Sequence, residues 1–426
     1  MQMLNNLVVK FSLFALVIFT YLHGLLLPEF NTHFVILYMF ASFFVAIKLK
    51  FLKDFKKPCT LFFFMYFFFL VIGMIPYSLL YEIDNRLLKL IFIGIFSFLL
   101  GYTFSFNSNK PQFVLKKNYP NHLTPLLYIF LISTGLLGLI FFYYQVGVIP
   151  LFNQEMLVNR AEILQGKGVG LQLFRFTVIP LYILFAEQIV RRKHSFSIYF
   201  LLSIVVFGFM TIGYRSPIFE ILLSFLLLYY YLLNKTLKLK TLFIVGILFL
   251  LFAIIFSIIR ESRNFLFEAL LTIYVNILNF SYILKQFPEN VQFQYGTTYF
   301  LNFLIIRPGP DKDFTMWLRD QLNVTSTMAV TPSIVGEWYL NFGYLGIVIG
   351  MFLMGILSNI IEKKLKNSSN IFSTVKWILI FNAFLKTVTG GISNVFFYLI
   401  LNLILLEFVK LVAKIRFFRE VKHDKP

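Results

Sequence analysis

The chain has 426 residues, of which 59% are hydrophobic, 19% aromatic and 13% charged, and its formal net charge is +19. Soluble globular proteins carry about 25% charged residues, so this composition excludes a water-soluble enzyme, and the high apolar content excludes a disordered chain. A polytopic membrane protein remains. The single cysteine, Cys59, excludes an internal disulfide framework and a cysteine-based metal site.

Apolar stretches of about 20 residues, the length that crosses a bilayer, recur along the chain. They predict an all-α, polytopic membrane protein with a single integral membrane domain over residues 1–426 and about twelve transmembrane helices, at 8–27, 31–47, 59–80, 87–106, 124–146, 171–189, 197–212, 217–233, 241–259, 343–360, 372–388 and 395–413. A large loop, 260–342, separates helices nine and ten. We interpret its apolar segments 264–284 and 291–306 as a membrane-surface or re-entrant helical pair; fourteen spans are the alternative.

Basic residues are divided unequally between the two alternating sets of connections. One set, which includes both termini, holds 23 Lys and Arg, and the other holds 10 although it is longer in total. Because cytoplasmic loops collect Lys and Arg, the first set is predicted to be cytoplasmic. The net charge therefore reflects orientation in the membrane, and nucleic acid is not an expected partner.

The two kinds of basic residue are also sorted by side. The predicted cytoplasmic connections hold 19 Lys and four Arg, whereas the outer connections hold three Lys and seven Arg. Guanidinium groups bind phosphate oxygens bidentately and stay charged when partly desolvated, so an arginine-rich outer face indicates an anion site. The alternative is that these arginines pair with outer acids such as Glu155, Glu162, Glu261 and Glu268.

Several outer basic residues have positions that suggest a function. Arg215 stands in the tight turn Gly213-Tyr214-Arg215-Ser216-Pro217 between two spans, where an ionisable group is costly and usually functional. Arg260 and Arg263 share one helical face and are suited to grip a diphosphate. Arg175 lies one turn inside the sixth span, and Lys386 lies near the outer end of the eleventh, where snorkelling to the interface is its alternative role.

Two outer loops are long enough to build a binding site. Loop 147–170 contains Arg160 and a glycine-rich end, Gly166 to Gly170, which either lets backbone approach a ligand or is simply flexible. Loop 260–342 contains Asp311 and Asp313 after a Pro-Gly-Pro turn. The Asp-x-Asp spacing suits a divalent cation, but two carboxylates after a Pro-Gly-Pro turn more often belong to a solvated turn, so no metal is predicted.

The end of the large loop carries a carboxylate close to membrane depth. Thr331-Pro332 can start a helix, and Glu337 follows about one and a half turns later beside Trp338 and Tyr339. A shielded carboxylate can act as a general base. The alternative is that Glu337 is a structural partner for an arginine.

The stretch TPSIVGEWYLNFGYLG, residues 331–346, resembles the characteristic region of the oligosaccharide repeat-unit polymerases, the Wzy-type polymerases of O-antigen and capsule. It follows a long outer loop and opens a late span, as in that family. The Gly213-Tyr214-Arg215 turn is similar to the family's Gly-x-Arg turn, and Arg160 also fits. The topology agrees over the whole chain, and the sequence resemblance covers about a quarter of it.

The resemblance implies inverting glycosyl transfer on the outer leaflet of the bacterial inner membrane. The donor would be a glycan on undecaprenyl diphosphate and the acceptor the terminal sugar hydroxyl of a lipid-linked repeat unit. Glu337 would be the catalytic base, with Glu220 as second choice. The diphosphate would be bound by Arg215, Arg260, Arg263, Arg160 and Arg175, and the glycan by Arg307, Arg319, Lys386, Trp338 and Tyr339.

The implied partners are the lipid-linked oligosaccharide, membrane lipids and a chain-length regulator protein, and no cofactor is expected. A lipid-linked oligosaccharide flippase is the main alternative. It would have two similar halves and short outer loops, whereas this chain shows no internal repeat and has one long outer loop. An O-antigen ligase-like transferase would share the donor and the outward-facing site, and only the family resemblance separates the two.

Overall fold

The computed structural model of the protein describes residues 12–16, 18, 20, 32–49, 51–105, 125–153, 168–192, 195–213, 215–247, 251, 265–306, 313–324, 330–368 and 370–423. Within these ranges the chain is helical and contains no strand, so the predicted all-α fold is confirmed. Seven of the described helices are long and apolar enough to cross a membrane, and three shorter apolar helices accompany them.

Ten of the twelve predicted spans coincide with helices. The other two, 8–27 and 241–259, lie mostly outside the ranges given above. The helices are α1 Thr32–Lys48, α2 Pro58–Ser78, α3 Asn85–Ser105, α4 Pro125–Val146, α5 Gly168–Arg175, α6 Val178–Arg191, α7 Phe196–Ile212, α8 Arg215–Leu232, α9 Phe265–Gln286, α10 Phe314–Gln321, α11 Ser333–Lys366, α12 Ile371–Gly390 and α13 Ser393–His423.

Helix α11 consists of two helices that meet at Gly343. That residue has φ 64° and ψ −148°, a conformation that only glycine adopts readily. The ring of Trp338 lies against Gly350, twelve positions later, so the segment 333–342 folds back along the following helix. The predicted start of the tenth span at residue 343 therefore coincides with this reversal.

Helix α9 occupies the first apolar segment of the large loop. It packs beside α2, where a Cβ at Gly73 would lie 2.9 Å from the Ile273 carbonyl oxygen. It also packs on the folded-back segment, since Phe280 and Ile283 surround Gly336. The second apolar segment contains a 3-10 helix, Thr297–Ile306.

Helix α3 is the centre of the described fold, with 94% of its most apolar window buried. It crosses α11 at a close contact made by glycines. A Cβ at Gly101 would overlap the backbone carbonyl of Phe352, and one at Gly355 would overlap that of Phe98. Small residues let membrane helices approach closely, and van der Waals packing then holds them together.

This crossing gives a prediction for stability. Gly101→Ala should lower the melting temperature of the purified protein, because overpacking a tight contact costs about 1–3 kcal/mol. Gly246→Ala is the matched control, since no atom of the described residues lies within 4 Å of a Cβ there. Equal melting temperatures for the two variants would show that the α3–α11 crossing tolerates a methyl group.

Hydrogen bonds made by the connections show which of the described helix ends lie on the same side of the fold. At one end, the Phe55 amide donates to the Leu237 carbonyl at 3.0 Å, and Lys363 Nζ donates to the Ser105 carbonyl at 3.0 Å. These residues border or belong to connections predicted to be cytoplasmic. At the other end, Asn302 Nδ2 donates to the Ser393 carbonyl at 2.9 Å, which ties the large loop to the start of α13.

Candidate functional site

A cavity lies between α5, α6, α8, α12 and α13, with Phe209 of α7 on one wall. Pro217 and Glu220 come from the first turns of α8, and Val395 and Tyr398 from the first turns of α13. The cavity therefore lies near the helix ends that the charge distribution predicts to be outer. Its charged and polar lining residues are Arg175, Glu220, Lys386, Tyr182, Asn382, Tyr398 and Asn402; the rest of the wall is almost wholly apolar.

The strongest polar contact in the cavity is an ion pair between α8 and α12. Lys386 Nζ lies 2.5 Å from Glu220 Oε1, and the two side chains are only 26% and 33% exposed. Ser216 Oγ donates to the same carboxylate oxygen at 3.0 Å. A charged pair placed this deep beside apolar walls is costly to form, and such pairs usually have a function.

Arg175 lines the same cavity. Its guanidinium carbon lies 4.0 Å from the centre of the Tyr398 ring, a stacked cation–π arrangement. Of the side chains that the structure describes, no carboxylate lies within 4 Å of this guanidinium. Arg175 therefore keeps hydrogen-bonding capacity for a ligand while the ring fixes its orientation.

Glycines hold α5, and with it Arg175, against α4. A Cβ at Gly138 would overlap Leu173, and one at Gly170 would lie 2.8 Å from the Phe142 amide nitrogen. After Arg175 the helix is interrupted, and Thr177 is fully buried with its hydroxyl donating to the Phe174 carbonyl at 2.8 Å. The interruption sets the angle at which α5 meets α6.

A polar network forms one side of the cavity below the ion pair. Ser224 Oγ donates to Tyr182 Oη at 2.8 Å, and Asn382 Nδ2 donates to Ser224 Oγ. These bonds join α6, α8 and α12 at one level. They fix the spacing between the helices that carry Glu220 and Lys386.

Glu337 has a different environment. It is fully buried, and its carboxylate accepts hydrogen bonds from the Ser393 amide at 2.9 Å, the Ser393 hydroxyl and the Ile392 amide. Amide groups at a helix start have no partner within the helix, and a carboxylate satisfies them well. Glu337 does not line the cavity, and its contacts favour a structural role in holding the turn between α12 and α13.

This turn also requires glycine. Gly391 has φ 75°, and a Cβ there would overlap the Glu337 carboxylate. Asn302 binds the other side of the turn through the Ser393 carbonyl. Lys386 and Tyr398 lie on α12 and α13, the two helices that the turn joins. By holding the turn, Glu337 positions the part of the cavity wall that these two residues form, although it does not line the cavity itself.

Three further predicted residues pack within the protein. Trp338 lies against Gly350 and edge-on to Tyr299, and the Tyr339 hydroxyl donates to the Phe287 carbonyl at 3.4 Å. Arg319 Nε lies 3.6 Å from an Asp320 carboxylate oxygen. None of the three lines the cavity, so these contacts give no support to a glycan-binding role.

The side chains of several predicted residues lie outside the described part of the chain. Arg215 begins α8, two residues before the cavity-lining Pro217, but only its backbone is described. Of the Asp-x-Asp pair, Asp313 is described, and it caps α10 by accepting a hydrogen bond from the Met316 amide at 2.8 Å. Outside the described part of the chain lie Arg160, Arg260, Arg263, Arg307 and Asp311.

Four polar lining residues were not predicted: Tyr182, Asn382, Tyr398 and Asn402. The sequence contained a usable pattern for three of them. Asn382 precedes Lys386 by four positions, and Tyr398 precedes Asn402 by four, so each pair shares one helical face within an apolar span. Polar pairs of this kind face protein or water in preference to lipid.

Comparison with known proteins gives one match. The model of the family described as "Putative O-antigen polymerase" matches residues 54–401, a range that takes in every cavity-lining residue except Asn402. No curated protein and no solved structure matches the chain.

Proposed function

Because the chain belongs to the O-antigen polymerase family, we propose that it joins undecaprenyl-diphosphate-linked oligosaccharide units into a surface polysaccharide by inverting glycosyl transfer. The reaction takes place in the cavity lined by Arg175, Glu220 and Lys386. The protein lies in the bacterial inner membrane with both termini in the cytoplasm, and the cavity faces the outer leaflet. The assignment of the termini to the cytoplasm and of the cavity to the outer leaflet rests on the distribution of basic residues.

The observation that carries this proposal is the convergence of Arg175, Lys386 and Glu220, the charged residues of the described lining, on one largely apolar cavity. Displacing a diphosphate from an anomeric carbon requires stabilisation of the charge that develops on the leaving group. Arg175 and Lys386 supply it without a metal ion. Apolar lining residues such as Val178 and Ile221 leave room for the first part of a lipid chain.

The acceptor hydroxyl needs a group that takes its proton. Among the described residues that line the cavity, Glu220 is the only carboxylate. We therefore place Glu220 before Glu337 as the base, reversing the order suggested by the sequence. Arg215 is proposed to add a third cation, since it precedes Glu220 by five residues at the start of α8.

The gene deletion distinguishes this proposal from a flippase. Deletion should leave single repeat units on the cell surface and remove the ladder of longer chains, because export continues while extension stops. Surface glycan detected with a repeat-unit antibody, together with gel analysis of chain length, measures both. Repeat units trapped on the inner leaflet would instead indicate a flippase, and an unchanged ladder would refute both functions.

A further inference from the structure

The ion pair between Lys386 and Glu220 lies in the lining of the cavity to which the proposed function assigns the diphosphate. Lys386 Nζ lies 2.5 Å from Glu220 Oε1, and Glu220 is the only carboxylate among the described lining residues. Arg175, the other cation of the described lining, stacks on Tyr398. A diphosphate that binds both cations must therefore compete with Glu220 for Lys386.

A lipid diphosphate competes effectively. A diphosphate that links a lipid to a sugar carries two negative charges, against one on Glu220, and it offers several oxygens to the three ammonium hydrogens. Coulomb interactions are strong in a poorly solvated cavity, so the more highly charged anion attracts Lys386 more strongly. The long lysine side chain can turn toward the ligand while α12 stays in place.

We infer that Lys386 exchanges partners during the reaction, pairing with Glu220 in the empty cavity and with the lipid diphosphate in the loaded one, and that this exchange frees Glu220 to act as the base. The inference rests on the proposed function. A carboxylate that loses its counter-ion holds a proton more strongly, so binding of the donor would itself activate the base. The empty site, in contrast, would hold Glu220 neutralised by Lys386.

The glycosyl transfer forms one bond and breaks one. The acceptor oxygen attacks the anomeric carbon of the donor sugar and forms the new glycosidic bond. The bond between that carbon and the diphosphate oxygen breaks, and its electron pair leaves with the lipid diphosphate, which Arg175 and Lys386 neutralise. The hydroxyl proton passes to Glu220. When the lipid diphosphate leaves, Lys386 returns to Glu220 and the proton is released to water.

Glu220→Gln tests the exchange because it affects binding and turnover in opposite directions. Removing the carboxylate frees Lys386, so purified protein in nanodiscs should bind undecaprenyl diphosphate about three- to tenfold more tightly, the gain expected from breaking one partly exposed ion pair. Loss of the base should lower chain extension about 100-fold or more. If the ion pair were purely structural, Glu220→Gln would weaken lipid binding and chain extension together, or change neither.

A second ion pair that involves α12 provides the matched control. Lys376 of α12 lies 3.0 Å from Glu407 of α13, and neither residue lines the cavity. Glu407→Gln should leave both binding and extension unchanged. In the Lys386→Met background, Glu220→Gln should no longer tighten binding, since its effect operates through the lysine.

Each outcome has a definite meaning. Weaker or unchanged lipid binding by a folded Glu220→Gln protein would overturn the exchange, and normal extension would overturn the role of Glu220 as base. If Glu220→Gln does not fold, as judged by its melting temperature, Glu220→Asp is measured in its place. The shorter carboxylate should pair less closely with Lys386, so tighter lipid binding with reduced extension supports the exchange and unchanged binding overturns it. Wild-type protein that binds the lipid but forms no polymer from lipid-linked units would refute the proposed function separately.

Discussion

Replacing Arg175 with alanine is expected to lower chain extension by about 100- to 1,000-fold, the usual cost of losing one group that stabilises transition-state charge. The guanidinium is held by stacking on Tyr398, and Arg175 lines the cavity together with Lys386. Its loss removes a fixed positive charge from the departing diphosphate. It should leave the fold intact, because α5 is anchored to α4 by the close contacts of Gly138 with Leu173 and of Gly170 with Phe142.

Arg175→Lys tests whether chain extension requires only the positive charge of Arg175 or also the planar geometry of its guanidinium group. Lysine keeps the positive charge but lacks the planar fork that binds two phosphate oxygens and stacks on an aromatic ring. We therefore expect extension by this variant to lie between that of the wild type and that of Arg175→Ala. Wild-type activity in Arg175→Lys would mean that a point charge is sufficient at this position.

The control for Arg175 lies just beyond the far end of the same predicted span, 171–189. Arg191 is 44% exposed and lies 3.9 Å from Glu187, one turn away on α6. Exposed pairs of this type contribute little, so Arg191→Ala should extend glycan normally. The measurement is the length distribution of polymer made in a polymerase-deletion strain, at matched amounts of membrane-inserted protein. Full-length polymer from Arg175→Ala would remove Arg175 from the mechanism.

The fold was largely predictable because membrane helices must satisfy their own backbone hydrogen bonds. Length and apolarity alone therefore located helices such as α3 and α12 to within a few residues. The sequence indicated a helix that starts near Thr331-Pro332 and a span that starts at residue 343, but it did not predict that the first folds back along the second. What separates the two helices is the backbone conformation of one glycine, which the sequence pattern does not specify.

The site was predictable as a set of residues but not as an arrangement. Arg175 and Lys386 stood out as ionisable groups near the outer ends of spans, and Glu220 was the second choice of base. Their convergence depends on which helices pack together, and nothing in the sequence links Glu220 of α8 to Lys386 of α12. A buried carboxylate such as Glu337 is equally ambiguous, because a base and a helix cap require the same residue type.

Glu337→Ala is the second substitution with a large expected effect, and it acts on stability. It leaves the Ile392 and Ser393 amides at the start of α13 without an acceptor and empties a fully buried position. Losing hydrogen bonds to a charged acceptor, with buried donors left unsatisfied, should lower the free energy of unfolding by about 3 kcal/mol or more. Ser393→Ala, which removes only the hydroxyl contact, should cost less.

Glu337→Gln decides between a cap and a base. Glutamine keeps one acceptor oxygen but turns an NH₂ group toward a backbone amide, so a capping role predicts a lower melting temperature together with a proportionate loss of extension. A base would behave differently: the variant would melt near the wild type and bind undecaprenyl diphosphate normally while extension stopped. Melting and lipid binding are measured beside Glu220→Gln, for which tighter binding and lost turnover are expected. Because α13 carries Tyr398, loosening its first turn should also weaken the ring contact that orients Arg175, so the two sites are coupled through this helix.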